Sequence, residues 1–260
     1  MLSIYTIGTS SLHRLHPLTK LTGALLLILA TYLTNWPLVP VLVFAILLII
    51  ARIAGVAQRL TGTVLRLILP VTFSLFLIQG ILFPPIGATP LPLGPITLTY
   101  EGLLFAYLIA ARLLVLSTTI LLVLFTTHPS DLVFALTERG LPRSVGYILL
   151  VSLQIVPDMT ARATAILDVQ RSRGLATDGA LGRVRAIIPL IGPLVVGALV
   201  DVEERAMAIE SRAYTASGPK TSLRVLADSI AQHRARTVML LGIAALIIWR
   251  IATAIEIRIV

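Results

Sequence analysis

The chain has 260 residues, 57% of them hydrophobic and only 13% charged, about half the charged share of a soluble domain, and its mean hydropathy is +0.97. Uncharged apolar runs approach or reach the ~20 residues needed to cross a bilayer, which excludes an ordinary soluble globule, and the absence of cysteine excludes disulfides and thiolate metal or redox sites. A formal charge of +9 would suggest nucleic acid in a soluble protein, but here it points to topology and to contacts with anionic lipid or acidic protein partners.

The fold class expected is all-α and polytopic, because strand-like alternation is missing where the chain is most apolar. Residues 1–20 lack the n-region, h-region and small-residue cleavage site of a signal peptide, so the first apolar run is expected to stay in the mature protein. Residues 21–51 carry no charge, and a single helix of that length would run to ~46 Å, well beyond a ~30 Å hydrocarbon core. Asn35-Trp36-Pro37 supplies a break: a turn former, an interface aromatic and a helix starter. Two helices are therefore expected, 18–34 and 38–54, joined by a tight hairpin.

Arg52, Arg59 and Arg66 mark the next loop, with a third span expected near 64–83. The segment Pro84–Pro95 holds five prolines and two glycines without a charge, the composition of an extended or turn-rich loop. Thr97 to Gly102 opens a fourth helix running to about Phe125, with Thr99 as its cap and Glu101 at the positive end of its dipole.

Charge sidedness organises the rest. Of the 21 Lys and Arg, 18 fall in residues 1–20, 52–66 and 128–236, and none falls in 34–37 or 84–101. The positive-inside rule then makes the N-terminus and the 128–236 region cytoplasmic. Residues 144–157 and 186–200 are apolar, but they give only ~22 Å of helix, short of a crossing. If both crossed, Arg162, Arg171, Arg173, Arg183 and Arg185 would lie outside, so both read as embedded or interface-lying segments. A last helix, 237–257, recrosses. The expected organisation is one domain with five spans: a four-helix membrane part (1–127), a cytoplasmic and interface region (128–236) and the last transmembrane helix (237–260).

Within the insert, two helices are expected at 158–173 and 198–213. Asp158 with Arg162, Asp168 with Arg171 and Asp201 with Arg205 have the spacing for pairs within one helix. Arg173 and Arg212 have no acid three or four positions away on either side. A guanidinium is a planar fork suited to bidentate capture of a carboxylate, and it also favours the negative end of its own helix dipole. Position alone leaves open helix capping, lipid phosphate, an acid elsewhere in the chain and an acid on a partner; Arg183 and Arg185 are equally unpaired. What sets the two apart is repeated context: Ser172-Arg173-Gly174 and Ser211-Arg212-Ala213 each end a helix-like run. Gly174 suits helix termination; Ala213 suits it poorly.

Other candidates weigh less. Arg112 falls near the middle of the fourth helix, where an ionisable group marks a substrate pathway or a partner on a neighbouring helix. Gln79, Gln154 and Ser117-Thr118-Thr119 read as interhelical hydrogen-bonding groups. His13, His16, His128 and His233 show no metal-ligand spacing. Pro189 and Pro193, with Gly192 and Gly197, predict a kinked or broken helix. Gly218-Pro219-Lys220-Thr221 is not a phosphate-binding loop, so any ATP-driven work would need an ATPase on another chain.

Taken together, these motifs resemble the transmembrane T component of energy-coupling factor transporters, relatives of the cobalt-transport membrane subunit. That family carries two Ala-Arg-Gly-type signatures at the ends of two cytoplasmic coupling helices, and Arg173 and Arg212 fall where its arginines stand. Ser11-x-His13-x-Leu15-x-Pro17-x-x-Lys20-Leu21 is similar to its N-terminal signature, as are Thr126-Thr127-x-Pro129 and Gly140-Leu141-Pro142. The likeness covers about residues 8–215. Both signatures here begin with Ser, Ala213 stands where glycine is usual, His16 replaces a typical Asp, and Gln154 sits where an arginine is common. The Ala213 change leaves the ending of the second helix open.

The resemblance implies a non-enzymatic coupling subunit in the cell membrane of a prokaryote. Its coupling residues would be Ser172, Arg173, Gly174, Ser211, Arg212 and Ala213. Its partners would be two ABC-type ATPase subunits and a small membrane substrate-capture (S) subunit for a vitamin or transition-metal ion. No cofactor is expected on this chain, ATP and magnesium belonging to the ATPases, and no nucleic acid. Two other classes compete. A membrane-embedded lipid or prenyl transferase would want paired acidic clusters for Mg²⁺, and only Asp201-x-Glu203-Glu204 is present. A self-sufficient carrier would want more polar spans and an inverted repeat.

Overall fold

The structure, a computed structural model, describes residues 10, 12–34, 36–82, 90–93, 96–175, 179–214, 216, 218 and 226–259. Ser11, Asn35, most of the proline-rich segment and Pro219-Lys220-Thr221, all invoked above, lie outside them. Among the described residues eight helices follow one another: α1 (Pro17–Leu33), α2 (Leu38–Ile53), α3 (Ala57–Leu77, continued by a π-helical turn Ile78–Leu82), α4 (Tyr100–Thr126), α5 (Pro129–Glu138), α6 (Arg143–Ser172), α7 (Gly179–Ser211) and α8 (Ile230–Ile259). A short antiparallel hairpin precedes α4, β1 (Pro90–Leu93) paired with β2 (Ile96–Thr99) in the register Pro90 opposite Thr99 and Leu93 opposite Ile96. The expected loop over Pro84–Pro95 thus includes one strand. An edge strand tolerates Pro90 and Pro92 because proline removes only a ladder donor.

The helices fall into two units. The first, residues 2–140 and 226–260, contains α1–α5 and α8; the second is 141–225, with α6 and α7. In the first, α4 packs against α1, α2 and α3, and α8 lies along α1. The core lies where α2, α3 and α4 meet and is built from Val43, Leu47, Ala51, Leu60, Val64, Val115, Leu122 and Phe125, with Leu60 and Ala51 fully enclosed.

The boundaries follow local chemistry. Pro17 and Pro129 open α1 and α5 from the first turn, where the missing N–H costs nothing. In both, a histidine one residue earlier caps the helix: His16 Nδ1 accepts from the Leu18 N–H and His128 Nδ1 from that of Ser130, each at 3.3 Å. Gly55, at φ 75°, stops α2, with the Val56 N–H bonded to the Ala51 carbonyl. The third helix then resumes at Ala57, earlier than the expected 64. Arg59 and Arg66 sit inside it rather than in a loop, and the Arg59 guanidinium stacks 5.0 Å above the Phe125 ring. Thr99 does stand at the N-cap of α4, but its hydroxyl makes no capping bond. Gly102, one turn on, is pressed against the Gln79 carbonyl of the π-helical turn, leaving no room for a Cβ.

Among the described residues, five helices are long and apolar enough to cross a membrane: Ala57–Gly80, Tyr100–Thr126, Arg143–Ser172, Val184–Ser211 and Ile230–Ile255, while α1 and α2 are apolar but shorter. The chain is a multi-pass membrane protein. The number matches the expected five, but the membership differs, because α6 and α7 each join an apolar half to a charged half. The expected helices 158–173 and 198–213 are the C-terminal portions of these longer ones, and neither Pro157 nor Pro189 and Pro193 ends them.

Candidate functional site

The two sequence signatures end α6 and α7 in the same way. At the first, the Gly174 N–H bonds to the Arg171 carbonyl at 2.9 Å and the Leu175 N–H to that of Gln170 at 3.0 Å. At the second, the Ala213 N–H bonds to the Glu210 carbonyl at 2.9 Å and the Tyr214 N–H to that of Ile209 at 3.2 Å. Each is the pair of reversed bonds of a Schellman motif. Gly174 (φ 89°) and Ala213 (φ 53°) hold equivalent left-handed positions, and Arg173 and Arg212 hold equivalent C-cap positions.

The ending of the second helix, open from sequence, is thereby the glycine-type ending built without glycine. Among the described residues Ala213 alone has a positive φ without being glycine. An L-residue in that region costs ~1–2 kcal/mol, and the C″ residue offsets this. Tyr214 turns its ring to Tyr147 (5.7 Å between centroids) and donates its hydroxyl to the Arg143 carbonyl at 3.3 Å. The end of α7 is thus fastened to the start of α6.

Arg173 and Arg212 are exposed, and among the described residues neither has an ion-pair partner. Ser172 and Ser211, which precede them, return their hydroxyls to the carbonyls of Asp168 and Ala208. Both guanidinium forks are therefore uncommitted, each beside the partial negative charge of its own helix end.

The neighbouring charges differ from the sequence reading. Arg171 pairs with Asp168 at 3.2 Å within α6, as expected. The other two pairs exchange partners between helices: Arg162 meets Asp201 at 3.0 Å, and Arg205 meets Asp158 at 3.7 Å. Sequence spacing allows an i,i+4 pair, but it cannot see a second helix delivering the same residues at similar range. The exchange shows that α6 and α7 run antiparallel where they meet. Arg212 lies near the α6 start, through Tyr214, and Arg173 lies at its far end, roughly 40 Å along the helix at 1.5 Å per residue.

Arg112, the intramembrane candidate, donates to the Thr34 carbonyl at the end of α1 (3.4 Å), with its guanidinium 5.8 Å from the Tyr32 ring centroid. Lys20 does the converse, donating from α1 to the Thr126 carbonyl at the end of α4 at 2.6 Å. Each helix thus sends a cation to the other's carbonyl end.

A second cluster escaped the sequence reading. At the start of α8, buried Arg236 donates from Nη1 to His16 Nδ1 at 3.2 Å and from Nη2 to the Asp228 carboxylate, which Arg139 also approaches at 3.8 Å. The His16 N–H donates to Gln232 Oε1 at 2.8 Å. The Arg236 hydrogen bond holds the Asp228 carboxyl below its ordinary range. Burial holds His16 below its ordinary value, Asp228 opposing and Arg236 reinforcing the shift. The partners are 220 positions apart in sequence; the only available signal was His16 beside a proline.

Compared with known proteins, residues 8–223 match the model of the family described as cobalt transport protein, CbiQ. The chain is 33% identical to the energy-coupling factor transporter transmembrane protein EcfT of Heliobacterium modesticaldum, covering 96% of this chain and 99% of that one. It is 30% identical to the protein of the same name from Exiguobacterium sibiricum, over 84% of this chain and 86% of the relative. Identity to that of Staphylococcus aureus is 28%, over 84% of each.

Proposed function

We propose, from the premise that the chain belongs to the cobalt transport protein family, CbiQ, that it is the energy-coupling transmembrane subunit of an energy-coupling factor importer. In this reading Arg173 and Arg212 each dock against a carboxylate on one of two cytoplasmic ABC-type ATPase subunits. A small membrane S subunit captures a vitamin or transition-metal ion. Closure of the ATPase pair on ATP moves α6 and α7, and through them reorients the S subunit for release inside the cell. Hydrolysis, with its ATP and magnesium, belongs to the partner chains.

The observation that carries the reading is the equivalence of the two helix ends: the same terminal hydrogen bonds, an exposed uncommitted arginine at each C-cap, and a left-handed residue after it. Two like ends roughly 40 Å apart along α6 suit two like subunits side by side. The positive-inside distribution supports a cytoplasmic N-terminus and cytoplasmic helix ends in a prokaryotic cell membrane. It also favours α6 and α7 lying at the interface over crossing, since crossing would carry a cluster of arginines outward. The transferase alternative is weakened because Asp201, part of the acidic run, is bound to Arg162.

Removing one partner of a desolvated, hydrogen-bonded charge pair costs ~2–5 kcal/mol, on the order of a 30- to 4,000-fold loss of affinity. Arg173→Glu combined with Arg212→Glu is expected to abolish uptake and to lose the ATPase subunits when the tagged chain is purified from its host, with membrane insertion intact. Undiminished uptake in that double variant would remove the arginines from the mechanism.

A further inference from the structure

Among the described residues, two ion pairs and the contacts of Tyr214 fasten α7 to α6, and a groove opens between the helices. A groove of about 310 Å³ runs between the helices, lined by Val151, Ile155, Met159, Val202, Ala206 and Ile209 among others. Interdigitated side chains ordinarily fix how two helices sit; along this stretch a groove interrupts them. The specific contacts fall at separate levels along the pair: Tyr214 to Tyr147 and Arg143, Arg205 to Asp158, and Arg162 to Asp201. Gly197 completes the last. A Cβ built there would come within 2.5 Å of Arg162 Nη1, so the guanidinium lies close over Gly197 and would have to shift to admit a larger residue.

We propose that Asp158, Arg162, Asp201 and Arg205 form an ionic clasp that fixes the position of α7 on α6, and thereby the separation of Arg173 from Arg212. The proposal rests on the docking reading above for its functional meaning, but its geometry stands apart from it. The four are positioning residues: two docking ends transmit motion together only if the helices between them keep one register. Each pair is half-exposed and weak alone, so the clasp sets geometry rather than holding the fold. Arg162 and Arg205 are also committed to Asp201 and Asp158, so neither is left to compete with Arg173 or Arg212 for an acidic groove on a partner.

The chain has no cysteine, so Ser172→Cys and Ser211→Cys in the full-length protein, reconstituted in lipid nanodiscs, give two clean spin-label sites, one beside each docking arginine. Pulsed dipolar spectroscopy of this pair is expected to return one narrow distance. Adding Arg162→Glu and Arg205→Glu, which set like charges against Asp201 and Asp158, is expected to lose that peak to a broad distribution. Exchanging all four charges (Asp158→Arg, Arg205→Glu, Arg162→Glu, Asp201→Arg) is expected to bring a narrow peak back. Gly197→Leu, which strengthens the helix while displacing the Arg162 guanidinium, is expected to broaden the distribution as well. An unchanged narrow peak in the double reversal overturns the clasp, as does broadening that the fourfold exchange fails to reverse. No ATPase is present in this measurement, so its outcome is independent of whether Arg173 and Arg212 bind one.

Discussion

At the start of α8, Arg236 is 5% exposed and divides its guanidinium between His16 and Asp228. At the ends of α6 and α7, Arg173 and Arg212 are exposed and, among the described residues, have no ion-pair partner. A guanidinium is costly to bury unless its donors are used, and Arg236 meets that condition with groups brought from α1 and from the segment before α8. The same commitment would disable a docking residue, since a fork already filled cannot capture another carboxylate. One region spends its arginine on holding helices; the other keeps its arginines available.

The sharpest way to break this contrast is to neutralise each arginine while keeping its bulk. Arg236→Met leaves Asp228 without its principal donor, and hydrogen bonds to charged groups are worth about 1.5–3 kcal/mol. A clear fall in the midpoint of heat unfolding in detergent is the expected result. Arg173→Met and Arg212→Met are expected to change stability by no more than ~0.5 kcal/mol, as surface substitutions do, while losing ATPase co-purification. If Arg173→Met lowered the unfolding midpoint as far as Arg236→Met does, the helix-end arginines would be structural too.

A smaller effect separates the two docking ends from each other. They share their terminal hydrogen bonds but differ at the left-handed residue, glycine at 174 and alanine at 213. Alanine there costs ~1–2 kcal/mol, and glycine gives back ~0.4–1 kcal/mol in the flexibility of the unfolded chain. Ala213→Gly is therefore expected to stabilise the end of α7 by up to about 1 kcal/mol, and Gly174→Ala to weaken that of α6 by a similar amount. The Tyr214 and Leu175 amides, which close the two motifs, report this directly: hydrogen-exchange protection should rise at Tyr214 in the first variant and fall at Leu175 in the second, each by about fivefold. No change at Tyr214 would mean that its contacts with Tyr147 and Arg143 already hold α7's end.

Sequence legibility follows the same division. Helices α1, α2 and α4 could be placed closely from apolar runs and the punctuation of Asn35-Trp36-Pro37 and Thr97 to Gly102, and α8 with a start set too late, because burial in lipid depends on the composition of one segment at a time. The arginines at 173 and 212 could be singled out because helix termination and local pairing are also short-range. What failed was whatever needed a second segment. The exchange of Asp158 and Asp201 between helices, the stacking of Arg59 on Phe125, and the Arg236 cluster all depend on residues that meet only after packing. Pro189 and Pro193 allowed either a kinked or a broken helix, and α7 runs through both unbroken.

The smallest effect concerns pH and tests the committed side of the comparison. His16 Nδ1 accepts from the Leu18 N–H and from Arg236, so protonating that nitrogen sets a donor against two donors. Burial, with Arg236 adding to it and Asp228 opposing, keeps His16 below its ordinary value. A histidine whose folded pKa is lowered binds fewer protons folded than unfolded. Its contribution is complete above about 6.5, the unfolded value, and declines as pH falls toward the lowered one. Asp228 shifts in the same direction, but its contribution starts to fall only near the unfolded carboxylate value of about 3.9. The window just below pH 6.5 therefore belongs to His16. His16→Asn keeps a good N-cap and removes the titration, so its unfolding midpoint should fall less than that of the unsubstituted chain between about pH 7.5 and about pH 5.5. Equal falls in the two proteins would show that the α1–α8 junction does not sense the charge of His16.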